Sequence, residues 1–389
     1  LSLIEWVRGW AFTGFPWNLP GYIWNAQLEL AQLSHVTGIH LLSLATIFWG
    51  LGTGYFILSF KRGQKRQAFG LLLIILASFS ASFLYGHNRL SETNQTNADA
   101  KHKTLIVQPN IGQDIKWRSD LMLDHIGNLL SLSRYKPEEH GDLGKTEELY
   151  IIWPETAMSD IYFNHEAIRT AISNTLKSWP VNKVTLFTGM LHRDEQNGAY
   201  YNALYQVDKS GTVIDRYDKS HLVPFGEYIP YLPPDFIEPL VGIVGFRPGK
   251  EPKNLTTQDT ALIPLICYEV IFPNIGRELF NLSKAKNKIT LTVTNDAWYG
   301  DAAGPYQHHA MARFRAIESG TPVLRSANTG ISGAFNSYGQ NLGNIDYGIR
   351  GNLLIDTPKS LSKTTSYTRL GNLLFFTTLS IFALLFIVL

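Results

Sequence analysis

Residues 262–269 read Leu-Ile-Pro-Leu-Ile-Cys-Tyr-Glu, an apolar run that ends in the chain's only thiol, an aromatic ring and a carboxylate. So short and continuous an apolar run reads as a strand buried on both faces, with its polar end where the chain leaves the sheet. The same pattern recurs at Thr104–Gln108, Leu149–Trp153, Val184–Thr188 and Ile289–Thr294. Helix candidates at Asp120–Leu132, Glu166–Ser178, Val270–Leu282 and Gln307–Glu318 lie between or after them. Tyr200–Val207, Gly211–Tyr217 and Val323–Asn336 add further strands, several of them expected to be antiparallel. Alternation of this kind gives an α/β domain with helices covering sheet faces. At about 265 residues it is large for one core, which suits two sheets packed face to face.

Beyond this body the composition changes. Of 389 residues, 34 are Lys or Arg and 32 are Asp or Glu, yet Gly38–Phe60, Ala68–Gly86 and Gly371–Leu389 hold none of them. Their lengths of 23, 19 and 19 residues match the roughly 20 apolar residues needed to cross a bilayer. Lys61, Arg62, Lys65 and Arg66 crowd the loop between the first two, which marks that loop as cytoplasmic and puts the body on the opposite side. The expected division is an apolar interfacial segment at 1–37, membrane helices at 38–60 and 68–86, a polar linker at 87–102, the α/β domain at 103–368 and a last membrane helix at 371–389. The start at Leu1, inside a Trp-rich apolar segment, suggests that further spans precede it.

The formal net charge of +2, with no basic run interleaved with aromatics, argues against nucleic acid as a partner. One cysteine excludes an intramolecular disulfide and any zinc site built on several thiolates. His308-His309 opens a helix candidate but lacks a third ligand at metal spacing, so neither a metal nor another cofactor is expected.

Three strand candidates end in groups with chemistry. Trp153-Pro154-Glu155 delivers a carboxylate, Tyr217-Asp218-Lys219 an ammonium and Ile266-Cys267 a thiol. Singly, Glu155 reads as a surface carboxylate, Lys219 as a solvated lysine and Cys267 as a small buried hydrophobe. Together they meet the needs of acyl transfer through cysteine: a base for the thiol and a cation facing the developing oxyanion.

Glu155 in WPET, Lys219 in YDKSHLVPFGEY and Cys267 in ICYE resemble, in that order, the Glu-Lys-Cys triad of the nitrilase superfamily. The resemblance covers Lys103 to about Asp356 and implies a four-layer α-β-β-α sandwich. The segment Trp6–Trp17, Gln108-Pro109-Asn110-Ile111 with Lys116-Trp117, Asn295-Asp296-Ala297-Trp298, and Leu324-Arg325-Ser326-Ala327-Asn328 narrow it. With the flanking spans they look like the apolipoprotein N-acyltransferases of bacterial inner membranes. That resemblance implies ping-pong transfer of an acyl chain from a phospholipid to the amino group of the S-diacylglyceryl-cysteine that begins an apolipoprotein. It implies Glu155 as base, Lys219 as oxyanion partner, Cys267 as nucleophile and Glu227 as a carboxylate orienting Lys219. Tyr268 and Glu269 match positions beside the nucleophile, and Trp117 one near lipid entry. It also implies a multi-pass protein of the inner membrane with a periplasmic catalytic domain, and a single triad needs no more than a monomer. The alternative from the same triad is a membrane-tethered amidase that hydrolyses a small amide.

Between the Lys and Cys motifs, Tyr228–Gly249 is rich in proline, glycine and large apolar residues. Phe236, Ile237, Leu240, Val241, Ile243, Val244 and Phe246 are expected to line a mobile lid or lipid-facing arm.

Overall fold

A computed structural model describes residues 1–92, 98–230 and 245–388. Numbered in chain order, β1 (Ala98–Gln108), β2 (Glu148–Ile152), β3 (Met158–Ser159), β4 (Lys183–Arg193), β5 (Tyr200–Val207) and β6 (Val213–Asp218) join β13 (Gly351–Pro358) in one sheet. Its order is β13-β1-β2-β4-β5-β6, with β3 on β4. The second sheet holds β7 (Leu255–Thr256), β8 (Thr260–Ile266), β9 (Asn287–Thr294), β10 (Val323–Ala327), β11 (Ser332–Phe335) and β12 (Asn341–Ile345), side by side in chain order.

Two-residue alternation builds the layers. Along β1, Ile106 faces the second sheet while Leu105 and Val107 face the helices Met122–Ser133 and Glu166–Lys177. Along β8, Leu262 and Ile266 point into the inter-sheet core while Ile263 and Leu265 pack toward the helices Pro273–Leu282 and Gly304–Ser319. The result is a nitrilase-like α-β-β-α sandwich. Parallel pairing aligns Leu105, Ile151 and Leu186 across β1, β2 and β4, and Leu265, Thr292 and Arg325 across β8, β9 and β10. In such a sheet the chain leaves every parallel strand on the same edge, where ligands collect. Two antiparallel pairings return β6 to the direction of β4, so Lys219 emerges on that edge as well.

Several boundaries differ from the sequence reading. The polar stretch 87–102 is not a linker over most of its length: the second long helix continues to Ser91 and β1 begins at Ala98. A helix needs no apolar residues once it has left the bilayer, and here Arg89 is buried with its guanidinium 4.5 Å from the ring centre of Tyr338. Val323–Asn336 divides into β10 and β11. Gly330 lies in the turn between them, and a Cβ there would meet Asp296 Oδ2 at 2.1 Å. Val270–Leu282 starts as a 3-10 turn, Cys267–Ile271, and turns α-helical only at Pro273.

Ser34–Lys61 and Lys65–Ser91 are helices long and apolar enough to cross a membrane, joined by the turn at Arg62–Gln64. They run 28 and 27 residues, about 40 Å of helix each. The stretch 371–389, expected as a third span, is the helix Leu373–Val388 over its described length. It packs on the first long helix through His40–Phe375 and Phe48–Phe382 ring contacts.

The first 37 residues are built into the body and do not stand apart from it. Trp17 is buried among Phe272, Met311 and Phe335, and its Nε1 donates to Gln307. At Gly38 the chain takes φ +68°, and the Tyr367 ring sits 2.4 Å from where a Cβ would be. The break frees the Ile39 N–H, which donates to Glu318 at 2.8 Å; Glu318 in turn pairs with buried Arg315.

Candidate active site

The side chains expected from the sequence meet at the carboxyl edge of the two sheets. Glu155 follows β2 on a turn where Thr156 has φ +44°. That turn rests on β4 at Gly189, where a Cβ would lie 2.4 Å from Pro154 O and 2.5 Å from Glu155 Cα, so only glycine allows the approach. Asn202 donates to Glu155 Oε1 at 2.7 Å and the backbone N–H of Asn295 to Oε2 at 2.8 Å, fixing the plane of the carboxylate. Lys219 lies 3.7 Å from Glu155 and 2.9 Å from Glu227, with 1% of its side chain exposed. A buried ammonium persists only where carboxylates compensate it. Burial alone would lower the Lys219 pKa, but Glu227 and Glu155 outweigh it and hold the group well above the ordinary lysine range.

Cys267 follows β8 with φ +51°, a strained conformation for a residue with a Cβ. Burial pushes its thiol well up, Glu155 pushes it further, and Lys219 opposes them. These causes favour the protonated thiol over the thiolate. Glu269 is fully buried: Oε1 accepts from Tyr217, Ser220 and His221, and Oε2 from Ile266 N at 2.8 Å. It is a staple between the loop after Lys219 and the elbow that carries the thiol. Tyr268 turns its hydroxyl to Gly14 O at 2.7 Å, and Trp117, 44% exposed, stands at the surface.

Two contributors escaped the sequence reading. Lys116 is buried and donates to Glu155 O at 3.1 Å and Thr156 Oγ1 at 2.7 Å, clamping the strained turn from below. Burial lowers its pKa to about 8 against the pull of Glu155 and Cys267. Its position beside Trp117 in a quoted motif was a usable signal. Asn202, which bridges Glu155 and Glu227, is a lone asparagine in a strand and carried none. The arm residues Phe236, Ile237, Leu240, Val241, Ile243 and Val244 lie outside the described residues. Phe246 is half-buried and anchored, its N–H donating to Glu227 O at 2.9 Å, so it does not belong to a free arm. Among the described residues there is no cluster of His, Cys, Asp or Glu arranged to hold a metal.

The family model described as carbon-nitrogen hydrolase matches residues 145–346, more than half of the chain, and places it in that class. The model for the apolipoprotein N-acyltransferase N-terminal domain matches residues 1–52. Apolipoprotein N-acyltransferase of Agrobacterium fabrum is 36% identical over 378 residues, 94% of this chain and 66% of that one. The enzyme of the same name from Rhodopseudomonas palustris is 33% identical over 386 residues, 96% of this chain and 69% of that one. The chain belongs to the apolipoprotein N-acyltransferase family. It spans about two thirds of the length of these curated relatives. Among solved structures, Saccharomyces cerevisiae Nit3, a member of branch 10 of the nitrilase superfamily, aligns with a TM-score of 0.49 at 17% identity, covering 67% of this chain and 91% of that one.

Proposed function

We propose that this chain carries the catalytic body of a phospholipid-dependent acyltransferase that N-acylates the diacylglyceryl-cysteine of apolipoproteins. The observation that carries the reading is the wall of the site. Next to the nucleophile, Tyr268 is bonded to Gly14 and stacked on Phe15, and His221 contacts Thr13 O at 3.1 Å. The segment leading into the first long helix thus lines the site, and Phe12 and Phe15 stand exposed on it. A small soluble amide has no use for an apolar wall continuous with a membrane helix, whereas an acyl chain does.

In the first half-reaction Glu155 takes the Cys267 proton as Sγ attacks the ester carbonyl of a phospholipid. Lys219, held charged by Glu227, faces the oxyanion. The C–O bond breaks, Glu155 returns the proton to the leaving oxygen, and a lysophospholipid departs from a thioester. In the second half-reaction the α-amine attacks the thioester, Glu155 accepts its proton, the C–S bond breaks and the thiolate is reprotonated, leaving an amide. No outside energy source is needed, since the ester's free energy passes through the thioester to the amide. Trp117 and Tyr268 border the entry. The positive loop at Lys61–Arg66 supports a multi-pass inner-membrane protein with this body in the periplasm, and a scheme with one triad needs no more than a monomer.

Mass spectrometry of the purified protein incubated with phospholipid tests the reading. The expected result is an acyl-sized adduct on Cys267, stable in buffer and discharged by a lipopeptide amine. Discharge at the same rate without amine would indicate hydrolysis in place of transfer, and no adduct from phospholipid would refute the acyltransferase reading.

A further inference from the structure

Beneath the thiol lies a set of charged side chains that the acyl-transfer scheme does not use. His308, on the Gly304–Ser319 helix, is fully buried. Its Nε2 lies 3.1 Å from the carbonyl oxygen of Cys267, and its Nδ1 lies 2.8 Å from Asp296 Oδ1. A carbonyl only accepts, so Nε2 is the donor. Asp296 Oδ1 also accepts from Thr294 Oγ1 at 2.9 Å, and Oδ2 accepts from Arg325 Nη2 at 2.7 Å. Burial would raise the Asp296 carboxyl, but Arg325 and His308 outweigh it and hold it ionised, well below the usual range. Arg325 is itself tied by Nε to Ile331 O at 3.1 Å. Trp17 covers the imidazole, with ring centres 5.6 Å apart.

One end of this chain of contacts is anchored on Ile331 O, and the other terminates on the peptide of the nucleophile. Cys267 there has φ +51°, a strained conformation for a residue with a Cβ. Such strain persists only where its surroundings over-determine it. Glu269 holds the elbow on its N-terminal side through Ile266 N, and His308 holds the carbonyl that follows the thiol's own Cα. We propose that His308, oriented by Asp296 and Arg325, is a positioning residue for Cys267. By pinning the left-handed carbonyl it aims Sγ into the space between Glu155 and Lys219. It touches neither substrate nor the reacting atoms.

The proposal rests on the acyl-transfer reading for its rate test but not for its chemical test. Glutamine at 308 places an amide nitrogen where Nε2 stands, within reach of the Cys267 carbonyl. Asparagine reaches the Asp296 side and falls short of that carbonyl. Both are polar and of similar size, so comparing His308→Gln with His308→Asn isolates the one hydrogen bond even if both lose some stability. The readouts are the single-turnover rate of phospholipid acylation of Cys267, the phospholipid concentration for half-maximal rate, and the rate of alkylation by iodoacetamide, unambiguous because the chain has one cysteine. Displacement of a nucleophile by an ångström costs on the order of 10²-fold. His308→Asn is expected to slow acylation by about that factor at unchanged half-saturation and to change the alkylation rate, while His308→Gln restores both to within about tenfold of wild type. Equal rates for the two variants, or a faster His308→Asn, would overturn the proposal. If the wild-type protein forms no acyl adduct while the alkylation rates still separate the variants, the acyltransferase reading fails and the positioning role stands.

Discussion

Glu227→Gln removes one charge and leaves the shape of the site almost unchanged. Glu227 Oε1 accepts from Asn202 at 2.8 Å and from Lys219 at 2.9 Å, and Oε2 accepts from Val223 N at 2.7 Å. Lys219 also lies 2.9 Å from Oε2. Every partner is a donor, so either orientation of a glutamine amide sets N–H against N–H, and the ammonium loses its nearer counter-charge. Removing one member of a buried pair costs about 3–5 kcal/mol. Glu155 at 3.7 Å still compensates Lys219, which places this case near about 3 kcal/mol. If that loss falls on the oxyanion partner, acylation of Cys267 slows by about 10²-fold. If it falls on the fold, the melting temperature of a body this size drops by about 6–12 °C. Initial rates of adduct formation by intact mass, read beside a thermal melt, separate the two. A Glu227→Gln protein that acylates within about threefold of wild type and melts at the same temperature would refute the claim that Glu227 holds the charge of Lys219.

Gly38→Ala places a Cβ 2.4 Å from the Tyr367 ring at φ +68°, and overpacking with backbone strain predicts a loss of about 2–4 kcal/mol in detergent-solubilised protein, measured by thermal unfolding. Lys116 titrates near 8 when folded and near 10.5 when unfolded, so between those values the unfolded chain holds the extra proton and this group makes stability rise with pH. Lys116→Met should therefore give a stability-versus-pH slope lower than wild type from about pH 8 to 10, and an unchanged slope would show that the buried lysine stays charged.

The sheets were legible because buried strands impose a pattern that depends only on nearest neighbours in sequence. The runs at 149–153, 184–188 and 289–294 needed no knowledge of their partners, and the thiol, ammonium and carboxylate stood where strands stopped. What stayed hidden depends on distant residues. Trp17 reads equally well as facing lipid or protein, and only its contacts with Gln307 and His308 decide for protein. His308 was weighed as a metal ligand, yet its partners, Asp296 and the Cys267 carbonyl, belong to two other motifs that only the fold brings beneath it. Polarity misleads at the end of the second long helix for the same reason: Arg89 is polar in sequence and buried in space.

The joint at Gly38 fixes more than the path of the chain. With Ile39 bonded to Glu318 and Tyr367 wedged against the break, the body is mounted on its helix like a tool on a bracket. On the acyl-transfer reading proposed above, this joint sets the height of the thiol over the lipid, and the apolar wall at Phe12 and Phe15 offsets part of the cost of raising a glycerol ester to it.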